Sequence, residues 1–177
     1  YETSQIVVTC GAKQALFNLC IALLGPGDEA IVPAPYWVSY PDMVRLAEAE
    51  PVIVRGGIEQ DFKITPEQLT AALSDQTRLI FLNSPCNPTG ASYSEAEFQA
   101  LGAMLERYPD VVIAADDIYE HIHWDDQPFV SIARACPRLK DRIVTTNGGS
   151  KACAMTGWRI GDGAGREAGS GGGRGGR

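Results

Sequence analysis

Apolar positions along this chain follow two rhythms in turn. Short runs rich in β-branched and aliphatic residues recur at 6–9, 29–32, 51–55, 78–82, 110–115 and 142–146. Their length and composition predict buried strands. Between them the spacing becomes helical. KQALFNLCIALL repeats apolar residues at helical intervals and stops at Gly25, Pro26 and Gly27, and residues 38–49 are amphipathic. Thr65, Pro66, Glu67 and Gln68 open a helix, with threonine as cap and proline at the first position, that ends near Asp75. Ser94 and Glu97 form a capping pair for a helix over 94–107. Residues 56–64 read as a polar loop, and 121–142 as irregular with a helical piece around 131–135. Strands alternating with helices predict an α/β fold with a largely parallel sheet and right-handed crossovers.

Composition narrows the function classes. The 177 residues suffice for one domain with a sizeable core, and 45% hydrophobic with 21% charged residues is ordinary for a globular protein. A net charge of −7 argues against a nucleic-acid surface, and no apolar run approaches the roughly 20 residues of a membrane span. Five scattered cysteines without metal spacing read as reduced thiols of a cytoplasmic protein. His121 and His123 have only Asp125 and Asp126 nearby, so no metal site is expected. Tyr1 is not a natural start residue, so the chain is expected to begin inside a longer gene product.

The chemistry-bearing residues gather where strands end. Residues 147–161 read NGGSKACAMTGWRIG. Lys151 there sits among Gly148, Gly149, Ser150 and Ala152. Small neighbours let a flat molecule approach, and poor solvation would favour a neutral, nucleophilic amine. Arg159 can hold a phosphate through two parallel hydrogen bonds. On these residues alone, a surface lysine in a glycine-rich loop explains the stretch equally well. Cys10, Gly11 and Ala12 join the first strand to a helix, a junction suited to an anion but also an ordinary turn. Pro33 and Pro35 fix the backbone and present Trp37, which can stack on a planar ring or serve the core. NSPCNPTG, residues 83–90, is a tight loop straight after a strand, where open α/β sheets gather ligand groups. Asn87 there is a turn residue or an amide donor, and its bond to Pro88 is open to the cis form. Asp116 ends a buried strand, where an acid is costly unless paired or exposed; a pyridinium nitrogen is one such partner. Asp117 better suits a solvated loop.

In order and spacing these segments resemble the class I aminotransferases, the aspartate aminotransferase-like group of fold type I pyridoxal-phosphate enzymes. The resemblance implies a three-layer large domain around a mostly parallel sheet, with the small domain missing. It implies pyridoxal 5'-phosphate as cofactor, held as an internal aldimine by Lys151, whose freed amine moves the substrate α-proton. It places Asp116 at the pyridine nitrogen, and Tyr119 and Asn87 at the phenolate oxygen. Trp37 covers the ring, and the amides of Gly11, Ala12 and Lys13 join Arg159 at the phosphate. Lys151, Asp116 and Tyr119 are the implied catalytic residues, and Trp37 and Asn87 also border the substrate. The implied partners are an amino acid, a 2-oxo acid and a second copy of the protein. In the family the bond before the NPTG proline is often cis. Gly149 departs from an apolar residue, Gly148 from a serine found in some members, and Asp162 from a frequent aromatic.

The resemblance divides the chain at Gly161. Residues 1–161 are expected to be a partial cofactor-binding large domain. Residues 162–177, DGAGREAGSGGGRGGR, are expected to be a low-complexity tail, from a frameshift or an artefact, that replaces an apolar strand. The expected activity is amino-group transfer between an amino acid and a 2-oxo acid, with this chain alone marginal in stability and inactive. A carbon–sulfur β-lyase on the same cofactor, or a non-enzymatic regulatory domain that binds it, are the alternatives.

Overall fold

The computed structural model describes residues 1–124 and 128–166. Seven strands form one sheet: β1 (Ile6–Cys10), β2 (Glu29–Ala34), β3 (Glu50–Arg55), β4 (Thr77–Asn83), β5 (Val112–Asp116), β6 (Ile143–Gly148) and β7 (Ile160–Ala164). Their order across the sheet is β1-β7-β6-β5-β4-β2-β3. The five strands from β6 to β3 are parallel, and β7 lies antiparallel between β6 and β1. The helices are α1 (Ala12–Leu23), α2 (Ser39–Leu46), α3 (Pro66–Ala72), α4 (Glu95–Leu105) and α5 (Ile132–Ala135).

Alternation along the central strands builds the three layers. On one face Ala30, Val32, Leu79, Phe81 and Ala114 pack against Leu16 and Cys20 of α1 and Tyr40, Met43 and Val44 of α2. On the other face Ile31, Ile80, Leu82 and Ile113 pack against Leu69 of α3, Phe98, Leu101 and Leu105 of α4, and Ile132 of α5. Strands covered on both faces have no room for solvent-facing polar residues, which is why β4 reads as a continuous apolar run. Thr65 and Ser94 cap α3 and α4 as the sequence predicts, each side chain accepting from the backbone N–H three residues on.

The structure departs from the sequence reading at the sheet's margin. β1 was expected to be buried, yet Val7 and Val8 are 63% and 75% exposed. It is an edge strand that pairs with β7 alone, and among the described residues nothing covers that stretch of its surface. The expected loss of a strand after Gly161 is also corrected, since β7 continues to Ala164. IGDGA has little intrinsic strand preference, but ladders on both sides impose the conformation. Residues 167–177, most of the expected tail, lie outside the described residues, as do Asp125 and Asp126. Among the described residues no helix is long and apolar enough to cross a membrane.

Candidate functional site

Every parallel strand that reaches the middle of the sheet ends at the same edge, and the chain leaves that edge carrying a polar or aromatic group. α1 starts there after β1, Trp37 follows β2, Asn87 follows β4, Asp116 ends β5, and Lys151 follows β6. A cleft at this edge is lined by Ala12, Lys13, Trp37, Asn87, Asp116, Tyr119 and Lys151, together with Leu16, Tyr40, Asn83 and Ile118. Seven of the nine residues singled out from sequence thus meet in one place. The other two, Gly11 and Arg159, pack on each other at the first turn of α1.

Asp116 is buried, and burial pushes its pKa up. Two hydrogen bonds oppose that shift: the Tyr40 hydroxyl donates to Oδ2 at 2.6 Å and the Ile118 amide to Oδ1 at 3.4 Å. The Asn83 side chain ties the acid's backbone to the next loop, donating to the Asp116 carbonyl at 2.8 Å and accepting from the Asn87 amide at 2.7 Å. The Asn87–Pro88 bond is cis, as the sequence left open. The Asn87 side-chain amide reaches the Tyr119 hydroxyl at 3.5 Å, and the Lys151 ammonium stands 5.8 Å from the centre of the Tyr119 ring.

The opposite wall is aromatic. Trp37 meets the Tyr40 ring edge to face, with centres 5.6 Å apart, and Tyr40 stacks on Phe81 at 4.7 Å. The Lys13 ammonium lies over the Trp37 ring at 4.7 Å. Sequence reasoning assigned Lys13 through its backbone amide alone; its side chain is also in the cleft.

At the start of α1, glycines permit a close approach of three chain segments. Gly11 has a φ of 80°, and the Arg159 guanidinium occupies the space where a side chain at Gly11 would begin. A Cβ on Gly161 would collide with the Ala12 amide and Gly11. One at Gly148 would sit 3.0 Å from the Ile160 carbonyl, so a serine there would be crowded. Among the described residues, Lys13, Lys151 and Arg159 form no ion pair.

Two expectations are corrected. Lys151 is exposed, because its loop of small residues runs over the surface without a cover among the described residues; the anticipated poor solvation is absent. Asp117 is 3% exposed, not solvated. Its amide donates to the Thr146 carbonyl, which draws it into the sheet, and burial, with the Asp116 and Glu120 charges, pushes its pKa up to about 8.

The donor set fits pyridoxal 5'-phosphate. Unpaired cations and a helix N-terminus suit the phosphate, a buried carboxylate suits a ring nitrogen, and an indole suits a flat ring. A larger cavity of about 690 Å³ is bordered by Lys63, Glu97 and His123, but its lysine is already held by Glu97 at 2.7 Å. The smaller cleft gathers seven of the nine residues singled out from sequence.

The family model described as aminotransferase class I and II matches residues 1–168. The aspartate/prephenate aminotransferase of Nitrosomonas europaea is 56% identical over 91% of this chain and 41% of its own length. That of Cereibacter sphaeroides is 54% identical over 93% of this chain and 41% of its own. The crystal structure of the aspartate aminotransferase from Rhizobium meliloti superposes with a TM-score of 0.91 at 49% identity, covering 94% of this chain and 42% of that one. This chain thus spans about two fifths of the length of the relatives it matches.

Proposed function

The chain belongs to the aminotransferase class I and II family, and from that premise we propose that it supplies most of a pyridoxal-phosphate site in an enzyme exchanging amino groups between an amino acid and a 2-oxo acid. The observation that carries this reading is Lys151 in the same cleft as the buried Asp116, lined also by Trp37, Asn87 and Tyr119. Relatives named for aspartate and prephenate favour a substrate with a second carboxylate. The unpaired Lys13 ammonium in the cleft is the cation to receive it.

Pyridoxal 5'-phosphate, when bound, supplies an aldehyde that condenses with amines and a ring that withdraws electrons from the substrate carbon. Lys151 would hold it through Nζ, and the same amine would be the base that takes the substrate α-proton and returns it. Asp116 would keep a proton on the ring nitrogen by offering it a buried carboxylate. Tyr119 and Asn87 would offer hydrogen bonds to the phenolate oxygen. Gly11, Ala12 and Lys13 offer backbone amides to the phosphate, and Arg159 its guanidinium. Trp37 orients the ring and closes one wall to water. The whole protein acts as a homodimer in the cytoplasm, where its free cysteines stay reduced.

The protein carrying this chain, mixed with pyridoxal 5'-phosphate, should gain a visible absorbance band that borohydride removes, and peptide mapping should place the adduct on Lys151. Lys151→Ala should abolish the band and transamination. An adduct on Lys13 or Lys63 would sink the assignment.

A further inference from the structure

Tyr40 receives no role from the family resemblance, yet it touches two of the groups at the centre of the cleft. It is 2% exposed. Its ring lies between Phe81, on which it stacks, and Trp37, which it meets edge to face. Its hydroxyl makes the shortest hydrogen bond to the Asp116 carboxylate. Resting on the cofactor reading above, we propose that Tyr40 is a positioning residue that sets both ends of the ring site: its hydroxyl holds Asp116 ionised and oriented toward the ring nitrogen, and its ring fixes the plane of Trp37.

The direction of the hydrogen bond is settled by the surroundings. Burial, and next the Asp116 charge, push the Tyr40 pKa well above its ordinary value, so the phenol keeps its proton and the carboxylate accepts it. Oδ2 is thereby committed to Tyr40. Oδ1 has the longer bond, 3.4 Å from the Ile118 amide, and is the freer oxygen for a ligand. The groups facing Asp116 are Tyr40 from α2, Asp117 from the end of its own strand, Tyr119 from the next turn, and Lys13 and Lys151 across the cleft. Burial favours a protonated Asp116; the Tyr40 hydroxyl first, and then the Ile118 amide, oppose it. A neutral acid could not hold a proton on the ring nitrogen, so this hydroxyl decides how far toward acid pH the site still works.

The test is the pH dependence of pyridoxal 5'-phosphate binding to the protein carrying this chain, by equilibrium titration between about pH 5 and about pH 9. Tyr40→Phe keeps the ring and removes the hydroxyl. Its affinity should fall about ten-fold at the acid end and rejoin wild type at the alkaline end, because a donor to a charged group stabilises only the charged form. Tyr40→Leu removes ring and hydroxyl and should weaken binding at every pH. Asp116→Asn with and without Tyr40→Phe should bind alike, since the hydroxyl acts through the carboxylate. A Tyr40→Phe curve that matches wild type throughout, or lies below it by one constant factor, would overturn the inference. Wild type without a Lys151-dependent absorbance band would overturn the cofactor reading itself, and the inference with it.

Discussion

The parallel centre of the sheet and its antiparallel margin are built on opposite terms. β4 and β5 are covered on both faces, and Phe81, Ile80 and Ile113 are at most 1% exposed. At the margin β1 leaves Ile6, Val7 and Val8 open, and β7 is mostly glycine and other small residues. The site straddles the two. Asp116, Asn87 and Trp37 hang from the centre, where packing fixes them. Lys151 and Arg159 hang from the connection between β6 and β7, where both are exposed. The acid and the aromatic wall are thus preformed by the core, while the amine and the guanidinium depend on a surface loop. A ligand joining them would tie the margin to the centre, and binding to the folded form alone would raise stability.

The contrast can be broken from the centre outwards. Phe81→Ala removes the ring on which Tyr40 stacks and should cost about 3–5 kcal/mol in a denaturant titration; a loss under about 1 kcal/mol would mean the centre is not the tightly packed half. The two neighbouring acids should separate function from stability. Asp116→Ala should lower transamination by about a hundred-fold, in the range seen when a group that stabilises developing charge is removed, and Asp117→Ala far less. Asp117 has a folded pKa of about 8, above that of the unfolded chain. The native state therefore holds a proton that the unfolded state gives up, and stability falls as pH rises from about 4 to about 8. Asp117→Asn should flatten that slope and raise stability at pH 8 by on the order of 1–3 kcal/mol; an unchanged slope would show that the carboxyl is not held neutral. The smallest effect belongs to the margin. Val8→Ser should change stability by about 0.5 kcal/mol or less, and a loss above about 2 kcal/mol would show that this face is covered in the whole protein.

Strand ends were legible because the residues there break the apolar rhythm in ways few other positions permit. Asp116 after a buried run, and two prolines around Asn87, stand out in one dimension. Caps at Thr65 and Ser94 were legible because a cap is satisfied within three residues. Tyr40 was not, since an aromatic in an amphipathic helix reads as core, and its partner lies 76 positions away. Asp117 was misread for a related reason: its burial follows from the Thr146 carbonyl in the next strand, not from anything beside it in the chain. The exposure of β1 was hidden because an apolar run has the same composition at the edge of a sheet as in its middle. β7 was hidden because its conformation comes from its neighbours. The glycine of β7 nearest α1, Gly161, records that crowding.

Placing β7 between β1 and β6 has a consequence in time. Ile6 pairs with Ala164, so during synthesis β1 waits for a partner about 150 residues behind it. At the usual pace of synthesis, about 5–20 residues per second, β1 waits roughly eight to thirty seconds for β7, while β2 and β3 can already zip together. Its exposed valines leave it open to a stray strand during that interval, and a chaperone that shields a nascent apolar edge would find a client here.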